Sequence, residues 1–338
     1  MKNARHVLNT GLKAALVASA LGVAGQAALA QDGKTITTVV KISGIPWFDR
    51  METGVNLYAE EHPDLNISQV GPATADSAQQ LQIVQDLIAK GTDALAIVPM
   101  DPTILEGVLK RAMERGTIVV THEADNQVNT MVDVEAFDNA EYGAALNARL
   151  ADCMGQEGKW TTFVGSLGSR THMQWVGAGE ENAKQYAGME LVDPNNESFD
   201  DANGTYEKAK EILRKHPDIK GFQTSAGNDV LGVGRAIEEA GLTGQVCLVG
   251  TGLPNPSAAY LDSGAITAIG FWDPQKAGMA MNEVARILLE GGEITDGMDL
   301  GVEGYNAVTV LPGAGEGKLV VGNGMVIADK DTYKDYLF

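Results

Sequence analysis

Short, β-branched apolar runs alternate with amphipathic stretches of helical period along most of this chain, and that alternation leaves few folds open. Strand-like runs fall at residues 35–42, 65–70, 94–98, 118–121, 160–164, 191–192, 221–224, 246–249 and 267–271. Helical stretches lie between them at residues 77–90, 104–115, 140–154, 175–186, 205–216 and 230–240. Within 77–90, Ala78, Leu81, Val84, Leu87 and Ile88 share one face, the stripe of a helix laid on a sheet. The strands are apolar on both sides, which suits parallel strands covered by helices on each face. Gly91, Gly116 and Gly241 stand where a helix ends before the next strand. The pattern runs first to about Asp138 and Asn139 and starts again at Trp160, with no low-complexity linker. Two connected α/β lobes are expected. Residues 291–305 read as loop, and residues 319–338 as a short hairpin with a terminal helical turn.

The first thirty residues read as a secretory signal. Lys2, Arg5 and Lys13 are basic, residues 14–24 are apolar but too few to span a bilayer, and Ala28, Leu29 and Ala30 form a small-residue cleavage site. Cleavage there would leave 308 of 338 residues, enough for two cores, in the periplasm of a bacterium. The remaining chain would carry 22 Lys and Arg against 45 Asp and Glu, a net charge of −23. Such a balance excludes a nucleic-acid partner, which needs clustered basic residues. Cys153 and Cys247 are the only cysteines. An oxidising compartment permits a bridge between them, and their apolar neighbours suit buried free thiols equally well.

Several catalytic signatures fail on inspection. The glycines before Lys318 evoke a phosphate loop, but the spacing is one residue short and Leu319 replaces the hydroxyl that would meet magnesium. Gly250 and Gly252 follow a strand without a third glycine, and Pro254 and Pro256 disfavour the helix that should come next. No G-x-S-x-G elbow and no H-E-x-x-H occurs. The acidic residues 193–204 lack the glycine and closing glutamate of a calcium loop and read as a solvated loop. His122, Glu123 and Asp125 are poorly spaced for a metal. No enzyme, cofactor or metal is therefore expected; Glu123 with Asp273 as paired carboxylates on a glycoside is the enzymatic alternative.

What stands is a set of polar and aromatic residues where strands end, the place where open α/β sheets bind ligands. Lys41 interrupts an apolar strand, so its ammonium either snorkels to the sheet rim or points into a cleft and donates to a ligand. Trp47 and Phe48 are adjacent and cannot both face one core, which leaves at least one to stack on a ligand. Glu123 and Asp125 follow the next such strand; they either cap a loop or accept hydroxyl hydrogen bonds. Arg170, Thr171 and His172 open a helix, Ser225 and Asn228 occupy the equivalent later turn, and Trp272 and Asp273 precede Pro274. N-capping alone explains some of these. Aromatics with neighbouring charges suit a sugar or polyol better than a phosphate.

In this order, Lys41 to Phe48, residues 91–98, residues 110–116 and residues 270–273 resemble the periplasmic sugar-binding proteins of ABC importers. The group includes the ribose-binding protein, and the nearest branch holds rhamnose- and autoinducer-2-binding proteins. The resemblance covers nearly all of the chain after residue 30. It implies a type I periplasmic binding protein, two Rossmann-like lobes with parallel sheets joined by a three-segment hinge. The crossings would fall near Asp138 and Asn139, near Gly270 and Phe271, and at residues 305–309. Residues 1–30 would be the signal peptide, residues 31–138 plus 271–305 the N-terminal lobe, and residues 139–270 plus 306–338 the C-terminal lobe. It further implies a monomer that captures a sugar or polyol and delivers it to a membrane permease, with an autoinducer-2-type signal as the alternative ligand. Lys41 matches that branch, whereas Thr171 and His172 stand where it has an acid and an amide, and Ser225 where it has a proline. A transcriptional regulator of the same fold would need a basic helix-turn-helix, which the sequence lacks.

Overall fold

The structure, a computed structural model, describes residues 33–336 and Phe338, so the expected signal segment lies outside the described residues. The first series of elements runs β1 (Thr35–Val39), α1 (Pro46–Glu61), β2 (Asn66–Val70), α2 (Ser77–Lys90), β3 (Ala94–Ile97), α3 (Pro102–Glu114), β4 (Ile118–His122) and β5 (Val132–Glu135). The second runs α4 (Asn139–Met154), β6 (Glu157–Val164), α5 (Arg170–Ala183), β7 (Gly188–Leu191), β8 (Asn196–Glu197), α6 (Ala202–Lys215), β9 (Ile219–Thr224), α7 (Asp229–Glu239), β10 (Cys247–Thr251), α8 (Pro254–Ser263) and β11 (Ala268–Phe271). Then come α9 (Pro274–Leu289), β12 (Thr309–Pro312), β13 (Lys318–Val321), β14 (Val326–Ala328) and a 3-10 turn, Tyr333–Asp335.

These strands form two sheets, in the orders β12-β13-β5-β4-β3-β1-β2 and β14-β11-β10-β9-β6-β7, with β8 on β6. Within each, the strands joined through helices pair in parallel, as such crossovers demand. Central strands such as β3, with Ala94, Leu95, Ala96 and Ile97 all buried, have helices on both faces. Asp76, Asp101, Asp138, Asp201 and Asp273 each cap the helix that follows by accepting backbone N–H bonds in its first turn. The two-lobed, mostly parallel α/β architecture is thus the one the alternation predicts.

Three expectations need correction. Pro254 and Pro256 do not prevent a helix: α8 starts on Pro254, a first-turn position where no N–H is needed. The strand β5 was not legible, because Val132, Asp133, Val134 and Glu135 alternate while all four are buried. The chain then passes between lobes at residues 136–138, 272–273 and 322–325, so the third crossing is later than residues 305–309. Strand β13 pairs in parallel with β5 and so covers its open edge, while β12 hairpins onto β13. Residues 309–321 therefore belong to the first sheet, and only β14 returns to the second, against β11. Strands β13 and β14 never pair with each other, contrary to the expected terminal hairpin. Helix α9 packs on α1 and on β1, β3 and β4, back on the first lobe as expected.

Cys153 at the end of α4 and Cys247 at the start of β10 form a disulfide that closes a loop of 94 residues within the second lobe. The bridge settles the alternative left open by composition. Among the described residues no helix is long and apolar enough to cross a membrane, and no group of three or more His, Cys, Asp or Glu could hold a metal ion.

Candidate functional site

The carboxyl ends of both sheets face one another, and the loops and helix N-termini that leave them enclose a cavity of about 20 Å3, roughly one water's room. On the first lobe, β1 ends at Val39 and the chain turns so that Lys41 lies in the interior, only 2% exposed. Its ammonium donates to Glu123 Oε2 at 2.5 Å. Glu123 follows β4 with φ +59°, a left-handed backbone that glutamate adopts at a cost of order 1–3 kcal/mol. Burial pushes its carboxyl up, but Lys41, with His122 and His172, outweighs that and holds it at about 2. Helix α1 points its N-terminal end at the cavity. That end-on placement lets the consecutive Trp47 and Phe48 both line the cavity, although neighbours on a helix flank could not.

On the second lobe, α5 begins at Arg170 and brings His172 to the cavity. The Gly165 N–H donates to His172 Nδ1 at 3.0 Å. That bond leaves the proton of the neutral ring on Nε2, where it can be donated. Burial, and after it the Lys41 charge, lowers His172 to about 3, so the ring is neutral near pH 7. Ser225 and Gly227 come from the turn after β9, and Thr251 from the end of β10. A Cβ on Gly227 would lie 3.1 Å from the Trp47 ring, so a glycine there lets the two walls meet. Trp272, in the second crossing, packs edge-on against Trp47 at 4.6 Å and near Trp175 at 5.7 Å. Its indole Nε1 is buried without a hydrogen-bond partner among the described residues.

Of the residues singled out from sequence, Lys41, Trp47, Phe48, Glu123, His172, Ser225 and Trp272 line this cavity. The other five do not. Thr171 sits behind the wall and donates to Glu123 Oε2 at 3.1 Å. Arg170 and Asp125 pair with each other across the lobes at 2.6 Å, with Gln174 also donating to Asp125. Asn228 donates to the Asp200 carbonyl at 3.0 Å. Asp273 caps α9 and is held by Arg50 through two hydrogen bonds, of 2.9 and 2.7 Å. Each of these side chains is drawn to a protein partner nearer than the cavity.

Sequence reading missed Ile45, Trp175, Thr251 and, above all, Asp200. The acidic loop that carries Asp200 is not a solvated loop at this point: Asp200 is 6% exposed and lines the cavity. Phe199 and Asp200 both take positive φ, +53° and +55°. Burial raises the Asp200 carboxyl to about 6.

The chain matches a family model described as a periplasmic binding protein domain over residues 36–293. It belongs to the periplasmic binding protein family. Members of the family are substrate-binding proteins, not enzymes. The binding protein is 30% identical over 230 residues to the D-ribose/D-allose-binding protein of Pseudomonas aeruginosa, covering 64% of this chain and 69% of that one. It is 27% identical over 252 residues to the D-allose-binding periplasmic protein of Escherichia coli, covering 71% and 79%. In fold it matches LsrB from Clostridium saccharobutylicum in complex with AI-2, with TM-score 0.82, 22% identity and coverage of 90% and 100%. An ABC transporter solute-binding protein from Clostridium phytofermentas with bound L-rhamnose matches with TM-score 0.82, 19% identity and coverage of 90% and 98%. Both likenesses identify the type I architecture of the binding protein.

Proposed function

We propose that this binding protein captures a sugar or polyol between its lobes in the periplasm and hands it to the membrane permease of an ABC importer. The observation that carries this reading is the composition of the cavity. Trp47, Phe48, Trp175 and Trp272 line it together with Lys41, Glu123, His172 and Ser225. Aromatic surface suits the C–H faces of a pyranose or furanose, and charged or polar tips suit its hydroxyls. Curated relatives named for ribose and allose support the same ligand class. The cavity of about 20 Å3 means that a sugar enters only as the lobes part, and closure follows if the ligand contacts both walls. Export through the N-terminal segment and action as a monomer are parts of the same proposal.

The test is thermal unfolding of the purified protein against a panel of pentoses, hexoses, deoxyhexoses, polyols and autoinducer-2. A true ligand raises the midpoint progressively with concentration. A flat response to every member at millimolar concentration would falsify the carbohydrate reading.

A further inference from the structure

Asp200 is the one carboxylate of the cavity that no protein group answers. Glu123 is taken by Lys41 and Thr171. The Asp200 side-chain Oδ2, by contrast, is buried with no hydrogen-bond partner among the described residues. It is also held in place rather than left to drift. The Ser198 hydroxyl accepts from the Asp200 N–H at 3.3 Å and the Asn228 amide donates to the Asp200 carbonyl at 3.0 Å. Both contacts fix the backbone in its left-handed turn and leave the carboxylate free. A Cβ on Gly165 would stand 2.6 Å from Asp200 Oδ2 and 3.0 Å from His172 Nδ1, so the carboxylate and the imidazole lie side by side over that glycine. A buried, oriented and unanswered acceptor beside an N–H donor is a poor way to stabilise a fold and a good way to read a hydroxyl.

The geometry points to Asp200 as the specificity-determining acceptor of the second wall, which receives a hydroxyl proton from an uncharged sugar while His172 donates to an oxygen of the same ligand. This rests on the carbohydrate reading above and narrows it. Lys41 and Glu123 neutralise one another, so the charge that Asp200 adds to the cavity is uncompensated. It disfavours sugar acids and sugar phosphates and accepts neutral sugars that carry a free hydroxyl at that point.

The experiment uses the full binding protein, Asp200→Ala and Asp200→Asn, with D-ribose, D-allose, L-rhamnose, D-galactose, D-glucuronate and D-ribose 5-phosphate as probes by calorimetry. Monodeoxy analogues of whichever neutral sugar binds complete the set. Asp200→Ala should weaken the neutral binder by about 5- to 100-fold, and Asp200→Asn by less, because the amide oxygen still accepts. One deoxy analogue should lose affinity by a similar factor on the wild type and lose nothing further on Asp200→Ala. Glucuronate and ribose 5-phosphate should not bind the wild type. Equal affinity of wild type and Asp200→Ala for a neutral sugar overturns the assignment alone and leaves the carbohydrate reading standing. No binding of any neutral sugar to the wild type overturns the carbohydrate reading, and this inference with it. A second measurement needs no ligand: at pH 7.5 Asp200→Asn should melt at or above the wild-type temperature. A lower melting temperature would make Asp200 a structural carboxylate and sink the proposal.

Discussion

Replacing Lys41 by methionine would strip the partner from an ion pair that is almost wholly out of water. The Lys41 ammonium lies 2.5 Å from Glu123 Oε2, and the two side chains are 3% and 4% exposed. Burial pushes the Glu123 carboxyl up, yet Lys41 and the two histidines bring it from 4.5 to about 2. A depressed carboxyl stabilises the native state fully above its unfolded value; between the two values the unfolded chain binds a proton that the native chain does not, so stability falls with the pH. The stabilisation is complete above about pH 4.5 and is lost as the pH falls toward 2; its size is about 3 kcal/mol. Without Lys41 the same carboxylate keeps Thr171 as a donor but loses its counter-charge. Removing one partner of a buried pair typically costs about 3–5 kcal/mol. Lys41→Met should therefore lower the unfolding free energy by that amount at pH 7, read from urea denaturation with an unchanged m-value. Adding Glu123→Gln should restore most of the loss, because an amide of the same shape needs no counter-charge, and the double-mutant cycle should return a coupling of about 2 kcal/mol or more. The Lys41→Met penalty should also shrink near pH 4.5, where the stranded carboxyl takes up a proton. A single variant within 1 kcal/mol of wild type, or a penalty that Glu123→Gln leaves untouched, would refute the claim that these residues act as one buried pair.

The disulfide should matter on a similar scale. Opening the 94-residue loop by Cys153→Ser with Cys247→Ser should cost up to about 4.7 kcal/mol on the chain-entropy estimate, visible as a lower urea midpoint without loss of the far-UV spectrum. Stability should fall as pH rises from 6.5 to 7.5. Burial raises Asp133 and Asp229 to about 7 and Glu135 well above its ordinary value, so the native state holds protons that the unfolded chain has already lost. Each such proton contributes a decline of up to about 1.4 kcal/mol per pH unit, while the lowered His172 acts oppositely only below about 6.5. Asp229→Asn should flatten the slope, and a rising urea midpoint across this window would contradict the sign. The interlobe pair Arg170–Asp125 is 40% and 20% exposed, so solvent screening limits it to about 0.2–1 kcal/mol. Arg170→Ala should then weaken ligand binding by no more than about 5-fold, through a smaller closed population seen in solution scattering.

Lys41 was legible because an ammonium straight after Val39 and Val40 has nowhere apolar to go, and the structure gives it a carboxylate from the end of β4, two strands across the sheet. Trp47, Phe48 and Trp272 were legible for the complementary reason, being large rings at strand-to-helix turns. Asp200 was not legible. It sits in an acidic loop beside an exposed Phe199, and what buries it is a pair of left-handed residues, Phe199 and Asp200, that fold the loop back over Gly165. No local pattern announces that turn. Asp125, Arg170 and Asp273 failed in the opposite direction: charge at a strand end suggested a ligand, but each had an oppositely charged partner distant in sequence, 45 residues away for Asp125 and 223 for Asp273. The fold showed the same division. Local alternation delivered the parallel strands of both sheets, whereas the third crossing depended on β13 finding β5 across the whole chain.

The seam between the lobes combines these groups in a way that explains why it can open. Across it run Arg170 to Asp125, Gln174 to Asp125, Thr171 to Glu123 and a weak contact of 3.5 Å from Lys41 to Ser169. Beside these bonds lie buried atoms with no hydrogen-bond partner among the described residues: Trp272 Nε1, Asp200 Oδ2, His122 Nε2 and Gln174 Oε1. An unanswered buried polar atom costs about 1–3 kcal/mol, at least as much as the roughly 0.5–1.5 kcal/mol gained from one hydrogen bond or the roughly 0.2–1 kcal/mol from one exposed ion pair. The penalties along the seam therefore offset its gains, and the closed arrangement draws little net stability from the protein alone. A ligand that donated to Asp200 and accepted from Trp272 would remove two of the penalties at once and add contacts to both lobes. Differential affinity of that kind moves an open–closed balance, so the residues that make the cavity selective are the same ones that make closure depend on the ligand.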